Sequence, residues 1–377
     1  MKVALVHDWL TGMRGGEKVL ELLCERYPDA DIFTLFHVRG SVSSTIERHR
    51  IVTSALQKLP FAKTHYRKYL PLYPTAIEQF DLDPYDFVLS VSTCAAKSVV
   101  TPGRARHICY CNAPMRYAWD QFDAYFGPDR VGAFTSRSVY RPILRHLARW
   151  DAATATRAGR FVANSSNIAA RIRRYYNREA TIVYPPVDTD FYSPDTTPPA
   201  QHFLIVSALV PYKRIDLAIE ACRRVGARLR IIGNGPDRAR LERQASAANA
   251  SGASHVDFIG WATDENIRDE YRRAVAVLLP GEEDFGIVPV EAQACGRPVV
   301  AYGRGGALET VVPGETGVFF DELTVESLTD ALNRVAALQV DPQRLRANAL
   351  RFSRERHERA MSSVIDETLQ QPAGTRW

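Results

Sequence analysis

The stretch that decides the fold runs from Pro280 to Pro298 and reads PGEEDFGIVPVEAQACGRP. An apolar run ends just before it at Leu279, and a loop follows through Gly286. Pro289 stands in what would be a first helical turn, where a missing N–H costs nothing. Gly296 stands where a helix ends. The pattern predicts a strand, a loop and a short helix, the unit from which doubly wound α/β sheets are built.

The loop and the start of this predicted helix carry groups that suit a ligand. Backbone N–H groups around Phe285, Gly286 and Ile287, with the positive end of the helix, predict a diphosphate site. Glu283 can reach a sugar hydroxyl, and Glu291 can accept two hydrogen bonds from a ribose diol. The two glutamates could instead be solvated, but the preceding strand and the Phe-Gly between them favour a binding site.

A second candidate group follows another predicted strand, at Ser207–Asp216. Lys213 and Arg214 open the next predicted helix, where two cations oppose the helix dipole, so local stability does not explain them. A bound diphosphate would explain them, with Lys213 as a point charge and Arg214 as a fork. The alternative interpretation is a solvated pair with Asp216 nearby.

Strand and helix patterns alternate through both halves of the 377-residue chain, which is long enough for two domains. A proline-rich segment, Tyr184–Pro194, separates the halves. The predicted fold is α/β, a pair of doubly wound Rossmann-like domains that face each other across a cleft. We expect the first domain at 1–190, the second at 191–350, and a C-terminal helix, 351–377, that packs back toward the first.

Composition and charge exclude several classes of protein. Hydrophobic residues make up 46% of the chain and charged residues 24%, which is the balance of a globular protein. The net charge of +5 is too small to predict nucleic-acid binding, although the basic clusters at 65–68 and 137–149 could meet an anionic membrane or an acidic acceptor. The N-terminal apolar run is too short for a signal peptide, and no apolar run reaches bilayer length. We therefore expect a cytoplasmic protein, with any membrane contact at the inner face.

Metal and redox motifs are missing from the sequence. The six cysteines have no paired spacing, so they predict no disulfide framework. Neither a Cys-x-x-Cys pair nor a His-Glu-x-x-His motif occurs, so we expect no metal and no other cofactor. A dehydrogenase is disfavoured, because no strand is followed by the glycine fingerprint of an NAD site.

Residues 283–301 resemble the signature of the family 4 retaining glycosyltransferases, which have the two-domain GT-B fold. The likeness covers nearly the whole chain and is strongest toward bacterial mannosyltransferase-like enzymes that build cell-surface polysaccharides. Any one motif is weak, but the set is specific. Five further segments belong to it: 15–18, 110–120, 210–216, 232–236 and 305–310.

The resemblance implies that Lys213 binds the donor diphosphate and that Gly16 closes on it. Candidate donor-binding residues are Gly15, Gly16, Lys213, Arg214, Gly233, Trp261, Glu283, Phe285, Gly286, Ile287 and Glu291. Candidate catalytic residues are Lys213, Arg214, Glu283 and Asn112. Candidate acceptor-binding residues, near predicted strand ends in the first domain, are Asp8, Arg116 and Tyr117.

Three positions depart from the family pattern. Ala208 stands where many relatives carry an Arg, so we expect Arg214 to make more of the phosphate contact. Asn112 stands where relatives commonly have a His near the reacting sugar, and Thr93 stands at another frequent His position. Asn112 therefore changes the chemistry available beside that sugar.

The expected activity is retaining, metal-independent transfer of a hexose, mannose first, from a nucleotide-sugar to a saccharide or a lipid-linked saccharide. GDP-mannose is the expected donor, followed by UDP-sugars. No second carboxylate is placed as a nucleophile, so we expect the acceptor to attack on the face from which the diphosphate leaves. Two alternatives stay open: a degenerate transferase that only binds nucleotide-sugar, and a nucleotide-sugar epimerase on the same fold.

Overall fold

The computed structural model describes residues 1–196, 198, 200–250 and 255–377. The chain divides into two compact units. The first comprises Met1–Pro186 and His357–Trp377, and the second comprises Val187–Arg356.

Both crossings between the units lie a few residues from the predicted boundaries at 190 and 350. Backbone pairing explains the difference, because it holds the two crossing segments together within the second unit. Val187 N donates to Phe352 O at 3.0 Å, and Arg354 N donates to Val187 O at 3.1 Å.

The first unit is built on a parallel sheet. Its strands are β1 Val3–Leu10, β2 Asp31–His37, β3 Ile51–Thr53, β4 Phe87–Ser92, β5 Arg106–Cys111, β6 Arg160–Ala163 and β7 Thr181–Ile182. Their order in the sheet is β3-β2-β1-β4-β5-β6-β7. Every residue of β1 is buried, as expected for a central parallel strand covered on both faces.

Helices and single turns connect these strands. The α-helices are α1 Gly15–Arg26, α2 Ser44–Glu47, α3 Ala62–His65, α4 Tyr73–Glu78, α5 Arg116–Trp119, α6 Phe122–Phe126, α7 Pro128–Val131, α8 Ala133–Thr135, α9 Arg141–Ala153 and α10 Ser166–Tyr176. The 3-10 turns are Ala55–Lys58, Tyr66–Leu72, Ala96–Ser98 and Thr154–Arg157, and a π-helical turn spans Ser136–Tyr140.

The second unit repeats this architecture. Its strands are β8 His202–Val206, β9 Arg228–Ile232, β10 Val256–Gly260, β11 Val277–Leu279, β12 Val299–Tyr302 and β13 Gly317–Phe320, in the order β10-β9-β8-β11-β12-β13. Its helices are α11 Ile215–Arg224, α12 Arg238–Ala250, α13 Asp264–Arg273, α14 Ile287–Ala294, α15 Ala307–Thr310, α16 Val325–Ala336 and α17 Pro342–Ala349, with 3-10 turns at Pro211–Lys213 and Leu350–Phe352. The predicted α/β class with two doubly wound parallel sheets is confirmed.

The last helix, α18 Arg354–Gln370, packs on the first unit. Met361, Val364 and Ile365 are buried in the apolar cluster that covers one face of the first sheet. Arg160 on β6 donates from Nη1 to the carbonyl of Val364 at 3.1 Å and from Nη2 to Glu367 Oε2 at 2.9 Å. Within the described residues, no helix is long and apolar enough to span a bilayer.

The strand order reverses beside β1 and β4 in the first sheet and beside β8 and β11 in the second. At such a point the crossover connections leave the sheet in opposite directions, which opens a crevice at the carboxyl ends of the two strands. Gly15 and Gly16 follow β1, Lys213 and Arg214 follow β8, and the segment from Glu283 to Glu291 follows β11.

Candidate functional site

Lys213 and Glu283 meet at the reversal point of the second sheet. Lys213 follows β8 and Glu283 follows β11. Their side chains form a hydrogen-bonded ion pair, and both are partly buried. The structure therefore brings together two of the predicted donor-binding residues, a cation and a carboxylate, beside the start of α14.

Close backbone packing holds the Glu283 loop against its neighbours. A Cβ on Gly281 would lie 2.3 Å from the carbonyl oxygen of Tyr212, so only glycine lets this loop rest on the Lys213 segment. A Cβ on Gly306 would lie 2.3 Å from Phe285 Cα, and Gly306 N donates to Glu283 O at 2.8 Å. Gly306 therefore fixes the backbone of the loop from its other side.

The predicted helix after this loop is confirmed as α14. Gly286 precedes it with φ +89°, a left-handed conformation that favours glycine. The helix begins at Ile287, and Pro289 lies in its first turn as predicted. The N–H groups of a first turn lack intrahelical partners and point outward along the helix axis, which suits an anion.

Glu291 is buried inside this helix rather than placed on an open face. It is 6% exposed, and its Oε2 accepts a hydrogen bond from the hydroxyl of Tyr271 at 2.9 Å. Tyr271 lies on α13 and is itself fully buried. The solvated interpretation of Glu291 is therefore wrong, and the carboxylate has a fixed orientation.

Arg214 is not directed like Lys213. Its backbone has φ +50°, and its guanidinium donates to both carboxylate oxygens of Asp216 at 3.3 and 3.2 Å. Asp216 thus lies near Arg214, as in the alternative interpretation of the sequence, but Arg214 and Lys213 are ion-paired rather than solvated. A diphosphate contact from Arg214 would require this pair to open.

The loops that carry the candidate donor-binding residues Gly233 and Trp261 lie side by side at the ends of β9 and β10. Gly233 N donates to Gly260 O at 2.7 Å. A Cβ on Gly233 would lie 1.9 Å from Ser207 O, so this glycine also packs against the loop that leads to Lys213. Trp261 is 76% exposed, which leaves the faces of its ring accessible.

In the first unit, the side chain of Asp8 binds the backbone, and its predicted acceptor contact stays a prediction. The side chain is completely buried on β1. Its two oxygens accept four backbone hydrogen bonds, from Thr93, Cys94, Ala95 and Ala96 at 2.5–2.8 Å. Burial raises the pKa of Asp8, and these N–H groups oppose that rise. Asp8 therefore fixes the loop after β4 at the end of β1.

A buried ion pair supports the helix that carries Arg116 and Tyr117. Lys97 Nζ lies 3.0 Å from Asp151 Oδ1, and both side chains are inaccessible to solvent. Asp151 Oδ2 also accepts from Trp119 Nε1 at 2.7 Å, which ties α5 to α9. Arg116 and Tyr117 are half-buried on α5, and burial raises the pKa of Tyr117 to about 12. The predicted acceptor residues Arg116 and Tyr117 thus lie on a helix, α5, that its contact with α9 holds in place.

Asn112 and Gly16 come together, and a residue that was not predicted joins them. A Cβ on Gly16 would lie 3.1 Å from Asn112 Nδ2 and 3.6 Å from His7 Nε2. His7 Nε2 also lies 3.8 Å from Glu17 Oε1. A polar residue inside the apolar first strand was the available sequence signal for His7.

In the described part of the chain, no group of three His, Cys, Asp or Glu side chains is arranged to hold a metal.

Comparison with known proteins places the second unit in a family. Residues 193–352 match the family model described as Glycosyl transferases group 1. This match spans most of Val187–Arg356, so the second unit is a group 1 glycosyl transferase domain. The resemblance to family 4 glycosyltransferases, and to mannosyltransferases among them, is confirmed.

Two curated relatives illustrate the likeness. The GDP-mannose-dependent alpha-(1-6)-phosphatidylinositol monomannoside mannosyltransferase of Mycolicibacterium smegmatis is 30% identical over 261 residues, which cover 59% of this chain and 66% of the relative. The D-inositol 3-phosphate glycosyltransferase of Mycobacteroides abscessus is 32% identical over 197 residues, which cover 47% of this chain and 44% of the relative. The chain thus spans about half to two thirds of the lengths of these relatives.

Solved structures share the fold over nearly the whole chain. The lipopolysaccharide outer core galactosyltransferase WaaB has a TM-score of 0.66 at 17% identity and covers 97% of this chain and 99% of its own. Anabaena Alr3699/HepE in complex with UDP and glucose has a TM-score of 0.71 at 16% identity and covers 98% of this chain and 100% of its own. At such identities the likeness supports the two-domain α/β fold alone.

The first prediction concerns Asp8. Asp8→Asn keeps the shape of the side chain but leaves only one oxygen for four N–H donors. Two donors would lose their partner, at about 1–3 kcal/mol each, so we expect a fall of about 2–6 kcal/mol in the free energy of unfolding. Urea denaturation measures the change, with exposed Asp29→Asn as the matched control. An unchanged unfolding midpoint in Asp8→Asn would refute the stabilising role of this carboxylate.

Proposed function

We propose that this protein is a retaining, metal-independent glycosyltransferase that moves a hexose, mannose first, from a nucleotide-sugar to a saccharide or lipid-linked saccharide. The observation that carries the proposal is the Lys213–Glu283 pair beside the start of α14, at the reversal point of a doubly wound sheet. In this proposal the second unit binds the donor and the first binds the acceptor. The product belongs to polysaccharide or glycolipid synthesis.

The charges at this point suit a nucleotide-sugar. A diphosphate would take over Lys213 and the first N–H groups of α14, because it carries more negative charge than a single carboxylate. Glu283 would then be released to accept hydrogen bonds from hydroxyls of the donor sugar. Glu291, whose Oε2 accepts from the hydroxyl of Tyr271, would accept hydrogen bonds from the ribose. Trp261 and the Gly233 loop would line the base.

The same groups serve the reaction. As the bond between sugar and diphosphate breaks, negative charge grows on the leaving phosphate, and Lys213 with the helix start stabilises that charge. The acceptor hydroxyl attacks on the same face and passes its proton to the departing phosphate. A side-chain cation thus does the work that a metal ion does elsewhere.

The names of the relatives support GDP-mannose as the donor. Several of them are described as GDP-mannose-dependent mannosyltransferases. Solved neighbours in complex with UDP or UDP-glucose share only the fold and keep UDP-sugars as the second candidates.

The second prediction tests the donor site by calorimetry with GDP, UDP and their sugar conjugates. Lys213→Ala removes a charge-assisted contact of about 1.5–3 kcal/mol and should weaken binding of the preferred nucleotide by about 10–150-fold. Arg243→Ala is the control, because Arg243 is exposed on α12 and is not among the candidate site residues. We expect its effect to stay within about fivefold.

Glu291→Gln completes this series, since it keeps an acceptor for Tyr271 while it removes the charge offered to ribose. We expect weaker nucleotide binding in a protein that stays folded. If the folded wild-type protein binds no nucleotide, the proposed donor site is refuted. Binding without turnover would instead favour the degenerate transferase.

The third prediction concerns stereochemistry and metal. With an α-linked sugar donor, proton NMR of the first product should show an α-glycoside. The rate should not change when EDTA is added, because side chains supply the positive charge. A β-product would refute the front-face mechanism, and restoration of an EDTA-inhibited rate by a divalent cation would refute metal independence.

We further propose that the first unit contacts an anionic membrane surface. Residues 48–77 and 130–150 contain basic residues but no Asp or Glu. Phe61 and Phe134 lie in these segments and are 76% and 79% exposed. Exposed aromatic side chains among Lys and Arg are typical of proteins that bind at the bilayer interface. A lipid-linked acceptor would be reached from this surface.

The fourth prediction tests the membrane contact by vesicle sedimentation. The protein should bind vesicles that contain phosphatidylglycerol and not vesicles of phosphatidylcholine alone, and added salt should weaken binding. Phe61→Asn, which suits the left-handed backbone at that position, and Phe134→Ser should each weaken binding by about tenfold. The exposed Leu308→Ser in the second unit is the control. Equal affinity of wild type and both Phe variants would refute the contact.

A further inference from the structure

In the first unit, the space that a Cβ on Gly16 would occupy is bordered by polar side-chain atoms. His7 comes from β1, Glu17 from the first turn of α1, and Asn112 directly follows β5. His7 and Glu17 are each 3% exposed. Any side chain at position 16 would fill the space, because its Cβ would lie within 3.6 Å of both His7 Nε2 and Asn112 Nδ2. The glycine keeps this space open.

His7 presents a hydrogen-bond donor to the space. The N–H of Asp8 donates to His7 Nδ1 at 2.8 Å, so the ring proton of the neutral imidazole is on Nε2. Burial lowers the pKa of His7 to about 3, and nearby Arg14 acts in the same direction. The imidazole is therefore neutral at physiological pH, with a fixed tautomer.

Two buried donors face the same point without a partner. Neither His7 Nε2 nor Asn112 Nδ2 has a hydrogen-bond acceptor among the residues that the structure describes. Burial without a partner is costly for a polar group, so each such group calls for an explanation. The pair of donors thus fits one oxygen atom that accepts two hydrogen bonds.

Glu17 adds a hydrogen-bond acceptor beside the two donors. Its Oε1 lies 3.8 Å from His7 Nε2, too far for a hydrogen bond but close to the same space. Burial raises the pKa of Glu17 to about 7, and Arg14 opposes that rise. A carboxyl group in this place accepts a hydrogen bond from a hydroxyl and repels a phosphate.

We propose that His7, Asn112 and Glu17 form a subsite for one hydroxyl group of a sugar, in which the hydroxyl accepts from the two nitrogens and donates to the carboxylate. This inference rests on the proposed glycosyltransferase function and adds His7 and Glu17 to its saccharide-binding residues. A hydroxyl satisfies all three groups because it is both donor and acceptor, whereas a phosphate oxygen satisfies only two.

Arg14 lies beside the subsite. Its side chain is about half exposed, and its Nη1 lies 3.8 Å from Glu17 Oε1. Both donor nitrogens are closed from solvent.

The fifth prediction is tested by NMR on the full-length ¹⁵N-labelled protein. The His7 Nε2–H signal, assigned by its loss in His7→Gln, should shift saturably with methyl α-mannoside. Inorganic phosphate at matched ionic strength should leave it in place. Asn112→Leu removes one donor at nearly constant volume and should weaken the mannoside affinity by about 2- to 12-fold. Exposed His146→Gln is the control and should leave the affinity unchanged.

Three outcomes would overturn the subsite: no mannoside shift in the folded wild type, an equal or larger shift with phosphate, or an unchanged affinity in Asn112→Leu. The wild-type titration keeps the test valid if a variant fails to fold. Nucleotide calorimetry separates this inference from the proposed function. If the protein binds nucleotide but mannoside causes no shift, the subsite is refuted and the proposed function stands. If mannoside causes a shift but no nucleotide binds, the proposed function is refuted and the subsite stands.

Discussion

Close contact between the loops after β8 and β11 is the constraint on which the candidate donor site depends. Gly281 lets the second loop rest on the backbone beside Lys213, and Gly306 clamps it from the other side. Lys213 and Glu283, seventy positions apart in the chain, therefore meet as an ion pair next to the start of α14. A larger residue at either glycine would push the loops apart and separate the Lys213 cation from the Glu283 carboxylate. The features that suit a nucleotide-sugar would then no longer lie together.

In the first unit, a side chain rather than close backbone packing holds the two strand ends together at the point where the strand order reverses. Asp8 receives four backbone N–H groups from the loop after β4 and so joins the two central strand ends. The next residue of that loop, Lys97, continues into a buried ion pair with Asp151 that reaches the helix of Arg116 and Tyr117. A chain of buried polar contacts thus holds the candidate acceptor residues, since a buried charge is stable only when it is paired.

The local sequence pattern was enough to predict the helix beside the donor site, but it did not predict the side-chain contacts around the candidate residues. The glycines and Pro289 around α14 predicted its position, because they reflect backbone geometry that any neighbouring residues must respect. The contacts of Asp8 and Arg214 were not predicted, because a carboxylate in a strand and an Arg at a helix start look alike in sequence whether they bind substrate or other protein groups. His7 was missed, since its neighbours Gly16 and Asn112 come from distant segments.

The sequence by itself determined the α/β class, the two parallel sheets and the likeness to family 4 glycosyltransferases, because periodicity, glycine and proline positions and short motifs are local properties. Only the tertiary structure decided which charges are paired and which side chains are buried. In the structure, Lys213 is ion-paired with Glu283 and Arg214 with Asp216. Asp8 accepts hydrogen bonds from four backbone amides. The physical reason is that the electrostatic role of a side chain depends on partners brought from elsewhere in the chain, which no local pattern contains.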